Sequence, residues 1–395
     1  SDKSGRTFNN PYQYFFEQMH MDDAIYADES IYEYPMQQGG GNDGRPYSFG
    51  RPSSGGSKAA YPCKSYGQGR INPAYFYGVF DPNDMRRDVS ITMTGSNGKG
   101  VEKLIPFVPN SKAEGGGLTL NKWDENRQAN PWVAAQRKSG INGPYMRMSE
   151  VYLGYAEVCA ALGDVVTGKQ YLKTVRERSF PQGLANTDAF IASFGNDLVR
   201  AIIEERGFEY AGEGDRRWTL IRSGYLPEDI KRIKDMTKAM MDGLATKGYY
   251  EFENGNIISA YIWTKLVDAK TIYGHRLTAQ CPTDKVNDPV LYPGWRGQKD
   301  NWEEMGLNYG SSTPATNLAI KGLFEIVSEE EAASLESQGY AKVNWGIDLV
   351  DYRDEYDKYL FWDYDYVSAP IYLWPFTPNV MAAGGFTNGY GFKQE

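Results

Sequence analysis

The sequence predicts a mainly helical protein: one packed helical middle between long, loop-rich, aromatic-rich flanks. Three observations predict it. Apolar residues recur at i, i+3/4 from Met148 to Leu162 and again along Gly168 to Arg178, the repeat of an amphipathic helix. Gly/Ser/Pro stretches, "MQQGGGNDGRPYSFGRPSSGGSK" (Met36 to Lys58) and "NSKAEGGG" (Asn110 to Gly117), interrupt the first third, and such clusters mark loops. Aromatics make up 14% of the 395 residues, dominated by 30 tyrosines, and many fall in Gly/Pro/Asn-rich stretches.

Three segments are expected, packed as one compact unit: 1–144, irregular and aromatic-rich; 145–248, helical; and 249–395, loop-rich. Within the first, "RRDVSITMTGSNGKGVEKLIPFV" alternates β-branched residues around a turn and reads as a hairpin. The middle opens with a helix that turns Met148, Val151/Tyr152, Tyr155, Cys159 and Leu162 inward and ends at Gly163. Its partner, with Leu172 and Val175 inward, completes an αα-hairpin over Arg147 to Ser179. A third helix is expected from an Asp188 N-cap through Phe190, Phe194, Leu198, Ala201 and Phe208. Pro227 opens a fourth, to about Gly243. After 249 regular pattern fades: "DPVLYPGWRGQKDNW" is loop-like, Glu329 to Gln338 suits a short helix, and "YLFWDYDYVSAPIYLWPFTPNV" reads as extended.

Charge and motif content narrow the function. With 42 basic against 51 acidic residues, net −9, and no polybasic run, nucleic acid is not expected as a partner. Three cysteines without a C-x-x-C make no complete disulfide framework, and Cys159 is expected as inert core. No apolar run reaches the roughly 18 residues of a membrane span. The N-terminus lacks a charged region followed by an apolar one, so a targeting segment is expected to have been removed, or the chain trimmed. Two histidines, His20 and His275, leave little for histidine-based catalysis or zinc ligation. "GGGNDG" (Gly39 to Gly44) fits G-x-G-x-x-G, yet no strand precedes it and Pro46 follows, so no dinucleotide site is expected. No cofactor and no metal are expected; the acidic tyrosine cluster from Asp351 to Asp365 reads as a solvated face rather than a calcium site.

One charged stretch invites an enzymatic reading. In "IIEERGFEYAGEGDRRWTLIRSG" (Ile202 to Gly224), about 100° per residue places Glu205 down the middle of an apolar stripe. A buried carboxylate costs several kcal/mol unless opposite charge and hydrogen bonds meet it. Arg206, Arg216, Arg217 and Arg222 lie close by, with Arg147 at the start of the first helix. The expectation is a structural clamp of Arg147, Glu205, Glu209, Arg216, Arg217 and Arg222, with Trp218 belonging to it. A paired-carboxylate glycosidase site is the alternative, but it needs two carboxyls facing one cleft, and neighbouring guanidinium groups make poor surroundings for a general acid.

"YMRMSEVYLGYAEVCAALGD", "YLKTVRERS", "LVRAIIEERGFEYAGEGDRRWTLIRSG", "LYPGWRGQKDNW", "TNLAIKGLF" and "YLWPFTPNVM…GGFTNGYGF" together resemble the SusD/RagB family over roughly 145 to 395, with a looser match at "FDPNDMRRDVSIT". The resemblance implies tetratricopeptide-like helical hairpins packed against a loop-rich remainder. It also implies a lipid-anchored protein on the extracellular face of the outer membrane in Bacteroidetes, partnering a SusC-like TonB-dependent transporter. Family members are usually longer at the N-terminus, where a lipidated cysteine and the first such helices lie, and this chain shows neither. Its acidic "WGIDLVDYRDEYDKYLFWDYDY" is also unusual. Trp295 and Trp302 fall in a family motif and are expected to be structural.

The loop aromatics suggest the ligand. A Trp or Tyr face packs on the C–H face of a sugar ring while its polar edge reaches hydroxyls, and Asn, Asp or Arg beside it fixes orientation. Candidates are Asn42, Asp43, Arg45 and Tyr47, then Tyr61 and Tyr66, Trp123 with Asp124 and Arg127, and Trp132 with Asn130. The expectation is a non-catalytic protein that captures an oligosaccharide for the transporter. A glycoside hydrolase and a peptide-binding member of the same family are the alternatives.

Overall fold

A computed structural model describes residues 29–37, 49–52, 71–96, 102–107, 117–123, 140–268, 316–354 and 376–385, and single residues 12, 15, 16, 19, 39, 69 and 372. The protein is mainly α, with short strands. The first segment carries more regular structure than its composition suggests. Strand β1 (Ser30–Tyr34) is followed by helix α1 (Pro73–Gly78), where Asn72 caps the Ala74 amide at 2.7 Å and Pro73 opens the first turn. Helix α2 (Arg86–Ser90) runs into β2 (Ile91–Thr92), then β3 (Thr94–Ser96) and β4 (Glu102–Leu104), which pair antiparallel as the expected hairpin. Strand β5 (Thr119–Leu120) pairs β2, and β6 (Gly143–Arg147) returns to pair β1. Helices of five or six residues are too short for a 3.6-residue period to register.

Helix α3 (Met148–Ala161) and helix α4 (Val165–Glu177) form the expected hairpin, turned at Gly163, whose φ of +89° is a left-handed position suited to glycine. Asp164 caps α4 by accepting from the Thr167 amide at 3.1 Å. The buried face of α3 is Ser149, Leu153, Ala156 and Cys159, whereas Val151, Tyr155, Val158 and Leu162 are exposed. This corrects the expected inward face of Val151, Tyr155 and Leu162. The reason is closeness: a Cβ at Gly168 would stand 3.0 Å from the Ala156 carbonyl, so small residues line the contact and larger ones turn away.

The long third helix is two. Helix α5 (Thr187–Ala192) is capped by Asn186, not Asp188, and α6 (Leu198–Glu209) by Asp197. Gly195 and Asn196, both at φ +65°, break the chain between them. Almost every residue of α6 is buried, so its stripe has no solvent side. Helix α7 (Asp215–Ser223) carries Arg216, Arg217 and Arg222 and lies between left-handed Gly214 and Gly224. Helix α8 (Leu226–Lys247) follows.

After 249 the faded pattern hides a sheet. Strands β7 (Tyr249–Glu251) and β8 (Ile257–Ser259) form a hairpin. Strand β9 (Ile262–Asp268) lies between β10 (Thr316–Lys321) and, after helix α9 (Glu329–Ser337), β11 (Ala341–Val343), all antiparallel. Helix α9, placed as expected, starts with a Ser328/Glu331 capping box. Helices α10 (Trp345–Asp351) and α11 (Pro378–Gly384) complete the described chain, so the end of the stretch read as extended is helical. One core mixes Phe76, Phe80, Phe208, Met240, Met241, Ile320 and Trp345; another holds Leu153, Leu172, Leu198 and Ile202 between α3, α4 and α6. Among the described residues, no helix is long and apolar enough to cross a membrane.

Candidate ligand-binding site

The carboxylates of α6 are met by guanidinium groups from distant segments. Glu205, fully buried, accepts from Arg86 at 2.6 Å and Arg176 at 2.9 Å. Glu209, also fully buried, accepts from Arg147 at 2.7 Å, from Arg86 at 3.1 Å and from Arg178. Arg86 is held further by Asp84 at 2.7 Å. Glu213 is shared between Lys122 at 2.6 Å and Arg147 at 2.9 Å. Arg86, Arg176 and Arg178 are not among the expected clamp residues, because nothing local in "DMRRD" or "YLKTVRERS" tells where those guanidinium groups dock.

The remaining clamp residues fall elsewhere. Arg216 pairs Glu204 at 2.8 Å and Asp229 at 3.0 Å, forming a second cluster with Arg232. Arg217 donates to the Tyr372 carbonyl at 3.4 Å. Arg222 reaches Glu157 on α3 at 2.7 Å with an exposed side chain, so it is no part of a buried clamp. Trp218 is exposed and leaves the clamp too. Cys159 is buried beside Ala156 in the α3 face.

Burial by itself would raise the glutamates, but the cations win. Burial pushes Glu209 up, yet Arg178, Arg147 and Arg86 together hold it well below the usual carboxylate range. Glu213 is likewise lowered, Arg147 and Lys122 outweighing its burial. Lys122, buried and close to Arg147, is pushed down to about 8 although Glu213 opposes the shift. Carboxyls held ionised in this way are unsuited to donate a proton at neutral pH.

Of the sequence-predicted ligand residues, Asn42, Asp43, Arg45, Tyr47, Tyr61, Tyr66 and Trp132 lie outside the described residues, as do Asp124, Arg127, Asn130, Trp295, Trp302, both histidines and most of the Asp351 to Asp365 cluster. Trp123 is described, and it corrects the expectation. Its ring is 0% exposed and packs with Leu120 and Ile141, so it has no face to offer a sugar.

The structure instead presents aromatics on the β1–β6 ribbon. Tyr32, Tyr34 and Tyr145 are 56%, 55% and 69% exposed. Tyr32 and Tyr145 meet edge to face at 5.7 Å, a favourable ring geometry. The ribbon is pinned at both ends. Asn142 donates to Glu33 at 2.9 Å and accepts from the Met36 amide at 2.9 Å. At the other end Arg147 plunges into the buried network, and the Met148 amide reaches the Glu29 carbonyl. Tyr32 and Tyr34 at i, i+2 were the available signal, since alternate strand residues share a face.

A cavity of about 420 Å³ opens elsewhere, between the α1–α2 connection, α5, α6 and α8. Asp81, Asp84, Glu204, Arg232 and Phe194 are among the residues that line it. Among the described residues no group of three or more His, Cys, Asp or Glu is arranged to hold a metal ion.

A family model described as the SusD family matches residues 3–376. SusD-like protein P25 of Formosa agariphila is 28% identical over 160 residues, 40% of this chain and 26% of that protein. Among solved structures, a SusD homologue from Bacteroides thetaiotaomicron is 19% identical with a TM-score of 0.43, over 58% of this chain and 47% of that one. Surface glycan-binding protein A from the same organism, solved with laminarihexaose, is 18% identical with a TM-score of 0.36, over 54% of this chain and 46% of that one. The chain thus spans about a quarter of the curated relative and just under half of either solved chain.

Proposed function

The chain belongs to the SusD family, and from that premise we propose that it is a non-catalytic glycan-binding protein of the bacterial cell surface. It captures an oligosaccharide and hands it to a SusC-like TonB-dependent transporter, held at the outer membrane by a lipid anchor. The observation that carries the reading is the pinned ribbon of Tyr32, Tyr34 and Tyr145. A tyrosine whose backbone is already fixed loses little entropy on contact, and its ring offers an apolar face with a hydroxyl at the edge, the pairing that sugar rings require. In sequence, Asn42, Asp43, Arg45 and Tyr47 follow β1 and Trp132 precedes β6; these residues are proposed as further sugar contacts.

The rival hydrolase needs two working carboxyls about one cleft. Two of the three acids named at the cavity are already engaged, Asp84 by Arg86 and Glu204 by Arg216 and Arg232. Affinity electrophoresis through laminarin, xylan and starch, with a reducing-end assay on the same mixtures, tests the reading. Retardation in at least one gel without new reducing ends is expected. Time-dependent reducing ends would establish the hydrolase, and retention by extended peptides alone would move the ligand class to peptide.

A further inference from the structure

The geometry points to a second ligand site, sharing no residue with the tyrosine ribbon: the cavity at α5 takes the terminal unit of a neutral sugar. Its volume, about 420 Å³, falls in the range of small-molecule pockets, about 300–1,000 Å³. Its polar groups are unequally satisfied. Arg232 gives Nη2 to Glu204 and Asp229, while its Nη1 makes no hydrogen bond among the described residues. Asp81 takes both Asn83 contacts on Oδ1, and its other oxygen is unengaged among the described residues. Asn186 uses its side-chain carbonyl to cap the Ala189 amide, and its amino group makes no hydrogen bond among the described residues. Phe194, half-buried, supplies a ring.

Charge decides the class of occupant. Asp84 is neutralised by Arg86, Glu204 by Arg216 and Arg232, and Arg176 by Glu205. An anion would face the Asp81 carboxylate, and a cation the Arg176 and Arg232 guanidinium groups in the same lining. A neutral ring of hydroxyls satisfies both, donating to Asp81 and accepting from Arg232 Nη1 and Asn186, with its C–H face on Phe194. A cavity that offers both donors and an acceptor favours a ligand whose hydroxyls can do either, since each group left unpaired on binding costs free energy.

Saturation-transfer NMR of the full chain with methyl β-glucoside, galactose and mannose, and with glucuronate and glucosamine as charged probes, tests this. At least one neutral sugar should bind, and Ala189→Trp, which fills the mouth from an exposed position, should weaken it about tenfold or more. Asp81→Asn, which keeps the oxygen that Asn83 uses, should weaken it similarly. Tyr145→Ala should lower retention on polysaccharide gels and spare the small-sugar signal, while Ala189→Trp does the opposite, so failure at the ribbon and failure at the cavity are told apart. Neutral sugars that bind Ala189→Trp and Asp81→Asn as they bind the parent, no neutral sugar bound, or binding confined to a charged probe would each overturn the assignment.

Discussion

Arg86 Nη1 lies 2.6 Å from Glu205 Oε1 with neither side chain exposed, although 119 positions separate the two in sequence. This contact fastens the short α2 helix to α6, and Arg176 on α4 completes the carboxylate's second oxygen. Replacing Glu205 by Ala leaves buried Arg176 without a carboxylate and Arg86 with only Asp84 and Glu209, so unfolding free energy should drop by about 3–5 kcal/mol. Urea denaturation reads it; a loss below about 1 kcal/mol would mean the network is dispensable.

The two aromatic environments predict opposite phenotypes. Tyr145→Ala should weaken glycan binding about 5–30-fold, equivalent to about 1–2 kcal/mol, with little change in melting temperature. Trp123→Ala, which empties a fully buried site, should cost about 3–5 kcal/mol of stability. Calorimetric titration and thermal melts of both variants check the pair; a Tyr145 variant that melts early and binds normally would refute the ribbon's role.

Acid should release the network. Glu209, Glu213 and Asp229 are all lowered in the folded protein. Groups depressed in this sense contribute stability that is present above the unfolded value and lost as pH falls through the folded one. The melting temperature should therefore fall as pH drops below about 4.5, the ordinary glutamate value. Glu209→Gln should melt lower at neutral pH and show a shallower acid slope. An unchanged slope would shift the effect to other carboxylates.

Alkali should act in the other direction over a limited window. Lys122 falls to about 8 from 10.5 in the folded state, so between those values the unfolded chain holds more protons and stability rises with pH. Above about 10 the raised Tyr12 and Tyr210 oppose it, because the folded state then keeps protons that the unfolded chain releases. Urea midpoints at successive pH values should climb from about 8 toward 10, and Lys122→Met should flatten the climb. A parent protein without that rise would show that Lys122 is solvated.

Much of the middle was legible because its signals are local. The α3–α4 hairpin is written in its periodicity and its Gly163 turn. Glu205 was recognisable as a buried carboxylate because apolar neighbours surround it. The inward face of α3 was misread because Val151, Tyr155 and Leu162 outweigh Ser149 and Ala156 in hydrophobicity, while close helix approach rewards small size. Gly195 and Asn196 marked the break after α5, yet the apolar spacing running across them suggested one helix. The three-stranded sheet escaped because β9 pairs with strands about fifty and eighty positions further on, and short strands carry few alternations.

The sequence by itself determined the family, the helical hairpin and the need for cations around Glu205, since each follows from residue type and near-neighbour spacing. Only the tertiary structure decided which arginines answer that need and which aromatic rings reach solvent. Ion pairing and burial depend on where distant segments meet, and that meeting turned Trp123 inward and left Tyr32 and Tyr145 facing water.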